Sequence, residues 1–392
     1  MAGEQKRLQI ALVNALDPQN RRAWSGTLYF VMQALQQHCG DVTPLGPAPY
    51  KPLWARMGNQ VSRRLLHKTY DYLISPQAAR HYARIFEQRL REGQFDLVVA
   101  VDADVEISMM RTDLPIAYLN DTTYFTIVDY YPQFKNLLRV SERHLKRIAH
   151  LAIAKPQLFL YSSDWAARSA IEDFGIDPAR VHTILFGANL DTVPDAAQAL
   201  RHQPGEICRL LFIGRYWERK GGDIALETLL VLERLGVPAQ LTLVGCIPPA
   251  GIAHPHLQVI PNIDKRDPAQ RAQMEALFQQ SHFFVLPTRA DCTPMVFCEA
   301  NANGLPVITT DTGGVTSVIR DGDNGRVLPF EARGRAYAEA IAEIYRDENR
   351  YRAMVRNSRR AYDERLNWDA WGAAVRPLLE RLVAEHTLPV AS

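Results

Sequence analysis

Short runs that are apolar on both faces alternate with helix-period segments along nearly all of this chain, and the alternation starts twice. In the first half such runs lie at 8–13, 95–101, 116–119 and 158–161, with helical patterns at 27–37 and 165–174. The same grammar returns at 210–213, 241–244, 283–286 and 307–309, with a helical pattern at 224–235. A strand apolar on both faces needs cover on both faces, which a parallel sheet wound with helices provides. The sequence therefore predicts an α/β chain of two Rossmann-like, doubly wound domains, one over 1–190 and one over 205–367. The stretch 187–203 has no clean period and contains Pro194, so the linker is expected there. A last helix over 368–386 carries Trp371, Val375, Leu378, Leu379 and Leu382 on one face and is expected to pack back on the first domain. Ligands of open parallel sheets sit beyond the carboxyl ends of the strands. Two such domains place the chemistry in loops that face a central cleft.

At 392 residues and 47% hydrophobic content, the chain has apolar material for two cores without metal or disulfide staples. Its net charge of +2 gives no electrostatic case for a nucleic-acid partner. The five cysteines form no C-x-x-C pair and no zinc pattern with histidine, which fits a reducing, cytoplasmic setting. The first residues are polar and lead straight into a strand, so no secretory leader is expected, and no window of about 18 apolar residues reads as a membrane span.

Three segments carry chemistry. The densest runs from Asp291 through Thr293, Pro294, Glu299 and Gly304-Leu305-Pro306 to Gly313-Gly314. Thr293 reads as an N-cap and Pro294 as a first helical residue, so a helix is expected to start there and aim free amides and a positive dipole end at an anion. The second is Gly214-Arg215 followed by Lys220-Gly221-Gly222, a strand end, a glycine turn and two cations before a helix. A guanidinium fork and an ammonium both suit phosphate oxygens. The third is the helix start at Trp24-Ser25-Gly26-Thr27, accompanied by the loop Asn120-Asp121 after the strand at 116–119. Taken singly, Asp291 and Glu299 read as solvated acids, Arg215 and Lys220 as a charged loop, and Asn120-Asp121 as turn chemistry. Their order along the chain argues for a shared site.

That order resembles the signature of the retaining glycosyltransferases of family 4, which have the GT-B fold. The family has two acidic residues separated by seven, and here seven residues separate Asp291 from Glu299, with Asp in place of the usual Glu. The resemblance implies a nucleotide-sugar donor, with Arg215 and Lys220 beside Gly214 on the diphosphate and Asp291 on the sugar. Glu299 would bind the ribose, and Thr293 and the amides of Met295, Val296 and Phe297 would complete the donor site. It implies that Gly26 lies by the phosphates and that Asn120 or Asp121 stands where relatives carry a histidine. The acceptor, a glycan, a lipid-linked species or a small molecule, would enter from the first domain, and the leaving phosphate would take its proton. No metal is required in this reading. A sugar-nucleotide epimerase or hydrolase of the same fold, or a non-catalytic sugar-nucleotide binder, are the alternatives. Asp102-Ala-Asp104 at a strand end leaves open a divalent cation held against a diphosphate.

Two basic stretches bear on the acceptor. Residues 51–91 hold nine Lys or Arg against Asp71 and Glu87, and 135–147 hold five against Glu142. Each reads either as a solvated helix face or as a basic amphipathic face drawn to anionic lipid.

Overall fold

The computed structural model describes residues 7–128 and 130–387. Two six-stranded sheets organise the chain, and every strand pair in both is parallel. The first holds β1 (Leu8–Val13), β2 (Gly40–Pro44), β3 (Leu97–Val101), β4 (Ile116–Asn120), β5 (Leu158–Tyr161) and β6 (Val181–Thr183) in the order β2-β1-β3-β4-β5-β6. The second holds β7 (Cys208–Ile213), β8 (Ala239–Val244), β9 (Leu257–Ile260), β10 (Phe283–Leu286), β11 (Val307–Thr310) and β12 (Gly325–Leu328) in the order β12-β11-β10-β7-β8-β9. The eight interior strands are those with apolar residues on both faces, and helices cover them on either side.

The chain divides into one unit of Met1–Ile184 with Trp368–Ser392 and a second of Leu185–Asn367. The stretch 187–203 is not a free linker. Ala188 is buried in the core of the second unit, its N–H donates to Leu366 O at 3.0 Å, and a short helix forms at Ala196–Ala199. Asp195 caps that helix through Ala197 N–H at 2.7 Å, a local signal that carries no hydrophobic period.

The helix Trp368–Thr387 buries Trp371, Val375, Leu379 and Leu382 within the first unit, against the helix Thr27–His38. The fit is close. A Cβ on Gly372 would sit 2.4 Å from the His38 ring, and Phe30 stacks on Trp368 with ring centroids 6.2 Å apart.

Candidate functional site

In the second unit, three strand ends build one cluster. β7 ends at Gly214, where a Cβ would stand 2.9 Å from the Lys220 side chain. A single helical turn, Trp217–Lys220, then delivers Lys220, and Gly221 follows with φ of 74°. A side chain at Gly221 would meet the carbonyl oxygen of Pro287 at 2.0 Å, so glycine is required by conformation and by space. That contact seats the β7 loop on the loop after β10. Arg289 N–H donates to Arg219 O at 2.8 Å, and the Arg219 guanidinium donates to Ala290 O at 2.5 Å.

Lys220 and Asp291 meet at this junction as a tight ion pair with both side chains nearly buried. The Gly313-Gly314 turn closes over Asp291, with Gly314 N–H donating to its carbonyl at 3.1 Å. Arg215 is exposed and has no ion-pair or hydrogen-bond partner among the described residues. A buried cation already matched by a carboxylate, beside an unmatched guanidinium, is an arrangement that can accept an anion.

The helix after Asp291 spans Met295–Ala302, one residue later than the sequence suggested. Pro294 takes the cap position, with ψ of 90°, and no side chain caps the helix, so Thr293 is not the N-cap. Phe297 N–H turns back to Pro294 O at 2.8 Å. Of the three amides expected to meet a ligand, Phe297's is therefore engaged, and those of Met295 and Val296 form the uncapped end. Glu299 is buried in this helix, and Lys265 Nζ reaches both its carboxylate oxygens, at 2.9 and 3.0 Å. Lys265 was missed in the sequence because it follows β9, a half-exposed strand without a continuous apolar run. Lys265 also lines a cavity of about 340 Å³ together with Asn189, Asp191, Arg271, Met274 and Asn303.

In the first unit, Trp24, Ser25 and Gly26 take three successive left-handed conformations, φ of 46°, 58° and 88°, before the helix Thr27–His38. Two non-glycine residues in that region cost roughly 1–3 kcal/mol each and mark a built turn. Asn120 does not project as a ligand group. It is buried at the end of β4, its Nδ2 donates to the Tyr118 hydroxyl at 2.6 Å, and its Oδ1 accepts from Asp121 N–H at 2.8 Å. Turn chemistry accounts for it, and Asp121 is positioned by it. Asp104 accepts from the Tyr118 hydroxyl at 2.9 Å and from Asn120 at 3.3 Å, so that carboxylate is engaged within the fold. Burial pushes Asp104 up to about 6 despite the lowering effect of the Tyr118 bond. The cysteines are all free and buried, and burial raises the Cys39 and Cys298 thiols to about 12, which removes them as nucleophiles.

Comparison with known proteins agrees with this geometry. Residues 208–347 match the family of glycosyl transferases group 1. The strands and loops that carry Arg215, Lys220, Asp291 and Glu299 all lie inside that match, which covers most of the second unit. The D-inositol 3-phosphate glycosyltransferase of Mycolicibacterium paratuberculosis is 26% identical over 236 residues, covering 58% of this chain and 53% of that protein. The chain thus spans about half the length of the curated relatives it matches. Sucrose-phosphate synthase from Thermosynechococcus elongatus superposes with a TM-score of 0.67 at 18% identity, over 97% of this chain and 100% of that one. Anabaena HepE in complex with UDP-glucose superposes with a TM-score of 0.63 at 14% identity, over 96% and 100%. The fold is GT-B.

Proposed function

We propose that this chain transfers a sugar from a nucleoside-diphosphate sugar to an acceptor hydroxyl, with retention at the anomeric carbon. The Lys220–Asp291 pair beside the unpaired Arg215 and the uncapped helix at Met295 carries the reading. As the bond from C1 to the diphosphate oxygen breaks, negative charge grows on the leaving group. Arg215, Lys220 and the amides of Met295 and Val296 stabilise it there. Asp291 holds Lys220 and orients sugar hydroxyls, and Glu299, fixed by Lys265, anchors the ribose. The acceptor oxygen bonds to C1 on the face the phosphate leaves, and its proton passes to the leaving phosphate. Acceptor recognition falls to the first unit, with Gly26 and Asp121 in its loops. No metal takes part in this scheme, and the buried, free thiols suit a cytoplasmic protein. The test is thermal denaturation with UDP, GDP, ADP and their sugars in the presence of EDTA. One base should raise Tm, since ligand at 100 times Kd adds about 2.7 kcal/mol. No shift with any of them would overturn the donor-site reading.

We further propose a peripheral attachment to anionic membrane, through one of the two basic stretches only. No helix of the described residues is long and apolar enough to cross a membrane. The helix Leu53–Leu65, however, leaves Leu53, Trp54, Met57, Val61 and Leu65 each more than half exposed. At 3.6 residues per turn these five share an arc of about 120°. Ala55 and Ser62 are buried on the opposite side, Arg56 and Arg63 flank the apolar arc, Arg64 falls within it at the end of the helix, and Lys51 and Lys68 lie just before and after the helix. An apolar stripe left in water beside cations suits the headgroup layer of anionic lipid. The helix Arg139–Ile153 differs, because Leu145, Ile148, Ala149 and Ala152 are buried and its cations form a solvated face. The protein should float with phosphatidylglycerol vesicles at low salt, and Met57→Glu with Val61→Glu should abolish flotation. Wild-type protein that stays at the bottom of the gradient would rule the attachment out.

A further inference from the structure

The amino ends of the second unit's strands, at the opposite edge of the sheet from the donor loops, hold three side chains that the transfer chemistry does not use. The helix Gly222–Arg234 starts beside Lys220 and runs about 20 Å at 1.5 Å per residue to its last turn, which carries Glu233. His254 and His256 precede β9 in a turn with Pro255 between them. Leu257 N–H donates to His254 O at 3.0 Å and closes that turn, while Leu241 N–H donates to His256 O at 2.9 Å and fixes it to β8. The two rings stand 5.6 Å apart at 74°. Both face Glu233, with His254 Nε2 at 3.5 Å from one carboxylate oxygen and His256 Nδ1 at 2.5 Å from the other. One donor atom from each of the three residues lies within 4.8 Å of the others, and this is the one such group of His, Cys, Asp or Glu among the described residues.

We propose that Glu233, His254 and His256 bind a divalent transition-metal ion, with zinc the best fit. A tetrahedral ion about 2.0–2.2 Å from each donor spaces its donors about 3.3 Å apart. The His254–Glu233 separation already matches. The His256–Glu233 contact has to open by less than one ångström, and His256 sits on the solvent side, its side chain 58% exposed. Two imidazoles and a carboxylate suit Zn²⁺, Co²⁺ or Ni²⁺, and not the all-oxygen demands of Mg²⁺ or Ca²⁺. The fourth position is left to water. The ion adds positive charge at the carboxyl end of a helix, where the dipole is negative. The same end already draws the Arg346 guanidinium to Leu235 O at 2.6 Å. One internal contact opposes binding. The His256 N–H donates to His254 Nδ1 at 3.3 Å, so the neutral ring carries its proton on Nε2. Metal at Nε2 shifts that proton to Nδ1 and opens this bond. The site would then tie the end of the helix Gly222–Arg234 to the β8–β9 connection, away from the donor loops.

The test is calorimetric titration of EDTA-stripped, full-length protein with Zn²⁺, followed by the visible spectrum of the Co²⁺-loaded protein. One equivalent of Zn²⁺ should bind with micromolar affinity, raise Tm and give way to Co²⁺ with visible d–d bands, while Mg²⁺ gives none of these. His254→Ala, His256→Ala and the isosteric Glu233→Gln should each weaken Zn²⁺ binding by more than the roughly 10–100-fold typical of losing an outer-shell partner. Circular dichroism of each variant confirms that it is folded, which these partly exposed positions allow. Lys220→Ala should leave the zinc isotherm unchanged. Sub-stoichiometric binding by wild type, or undiminished binding by the folded His254→Ala and His256→Ala variants, would overturn the proposal.

Discussion

Lys220→Ala is expected to lower kcat/KM for sugar transfer by about 10²–10³, the loss seen when one preorganised donor to developing negative charge is removed. The same substitution removes the ammonium that pairs with Asp291, whose side chain is only 10% exposed. Removing one partner of a nearly buried ion pair is destabilising, by up to about 3–5 kcal/mol where the pair is fully buried, so the single variant should also melt early. The two effects separate in a pair of variants. Lys220→Ala with Asp291→Ala removes both charges of the pair, and should be more stable than the single Lys220 variant while transfer stays low. Arg215→Ala should weaken function without the stability loss of the single Lys220 change. Arg215 is exposed and makes no hydrogen bond or ion pair among the described residues, so stability should hold while the apparent affinity for the nucleotide falls. Steady-state kinetics beside urea denaturation of the four proteins reads both quantities. Wild-type turnover in the double variant would mean that the diphosphate is gripped elsewhere.

The ion pair explains why Lys220 is more than a cation near a phosphate. Without ligand its charge is spent on Asp291, which lets the protein bury an ammonium without a bound anion. In the proposed transfer, an arriving diphosphate would give Lys220 a second acceptor and partly release Asp291 toward the sugar. The Asp291 side chain is short, yet it reaches Lys220, because Gly214 and Gly221 let the two loops close on each other.

The eight interior strands were legible in the sequence because burial on both faces leaves an unbroken apolar run. The four that were not read, Gly40–Pro44, Val181–Thr183, Leu257–Ile260 and Gly325–Leu328, are the four edge strands of the two sheets. Their residues are half exposed, so the hydrophobic run is broken and a short loop reads the same. Missing the strand at 257–260 concealed Lys265, which Glu299 needs, and the histidine pair that precedes it. The loop positions of Arg215, Lys220 and Asp291 were legible because glycine and proline punctuate those loops. Asn120 was ambiguous in the sequence for the opposite reason. Its type and place suit a ligand as well as a turn, and only its bonds to Tyr118 and Asp121 decide for the turn.

Glu106 supplies the other large effect, and it concerns stability. It lies in the short helix Asp104–Ser108 after β3, buried, with one carboxylate oxygen accepting the Ala15 N–H at 3.0 Å. Burial raises its carboxyl from 4.5 to about 7, against the lowering effect of backbone hydrogen bonds that include Ala15's. The folded state then binds more protons than the unfolded chain between those two values. Stability must fall as pH rises through that window, and the penalty is complete above about 7. Below 4.5 the group is protonated in both states and contributes nothing. At 1.36 kcal/mol per pH unit the full penalty is about 3 kcal/mol. Asp104, raised to about 6, adds a penalty of the same sign from 3.8 upward. Glu106→Gln keeps an oxygen to accept the Ala15 N–H and removes the titration. It should leave stability near the wild-type value at pH 4.5 and raise it by up to about 3 kcal/mol at pH 8. Native-state hydrogen exchange of β3 peptides, compared between variant and wild type at each pH, reads the difference within the first unit. Equal effects at the two pH values, or a loss of protection at pH 8, would show that the Glu106 carboxylate is ionised without penalty. The charge would then be retained in the fold as a stabilising partner of Ala15.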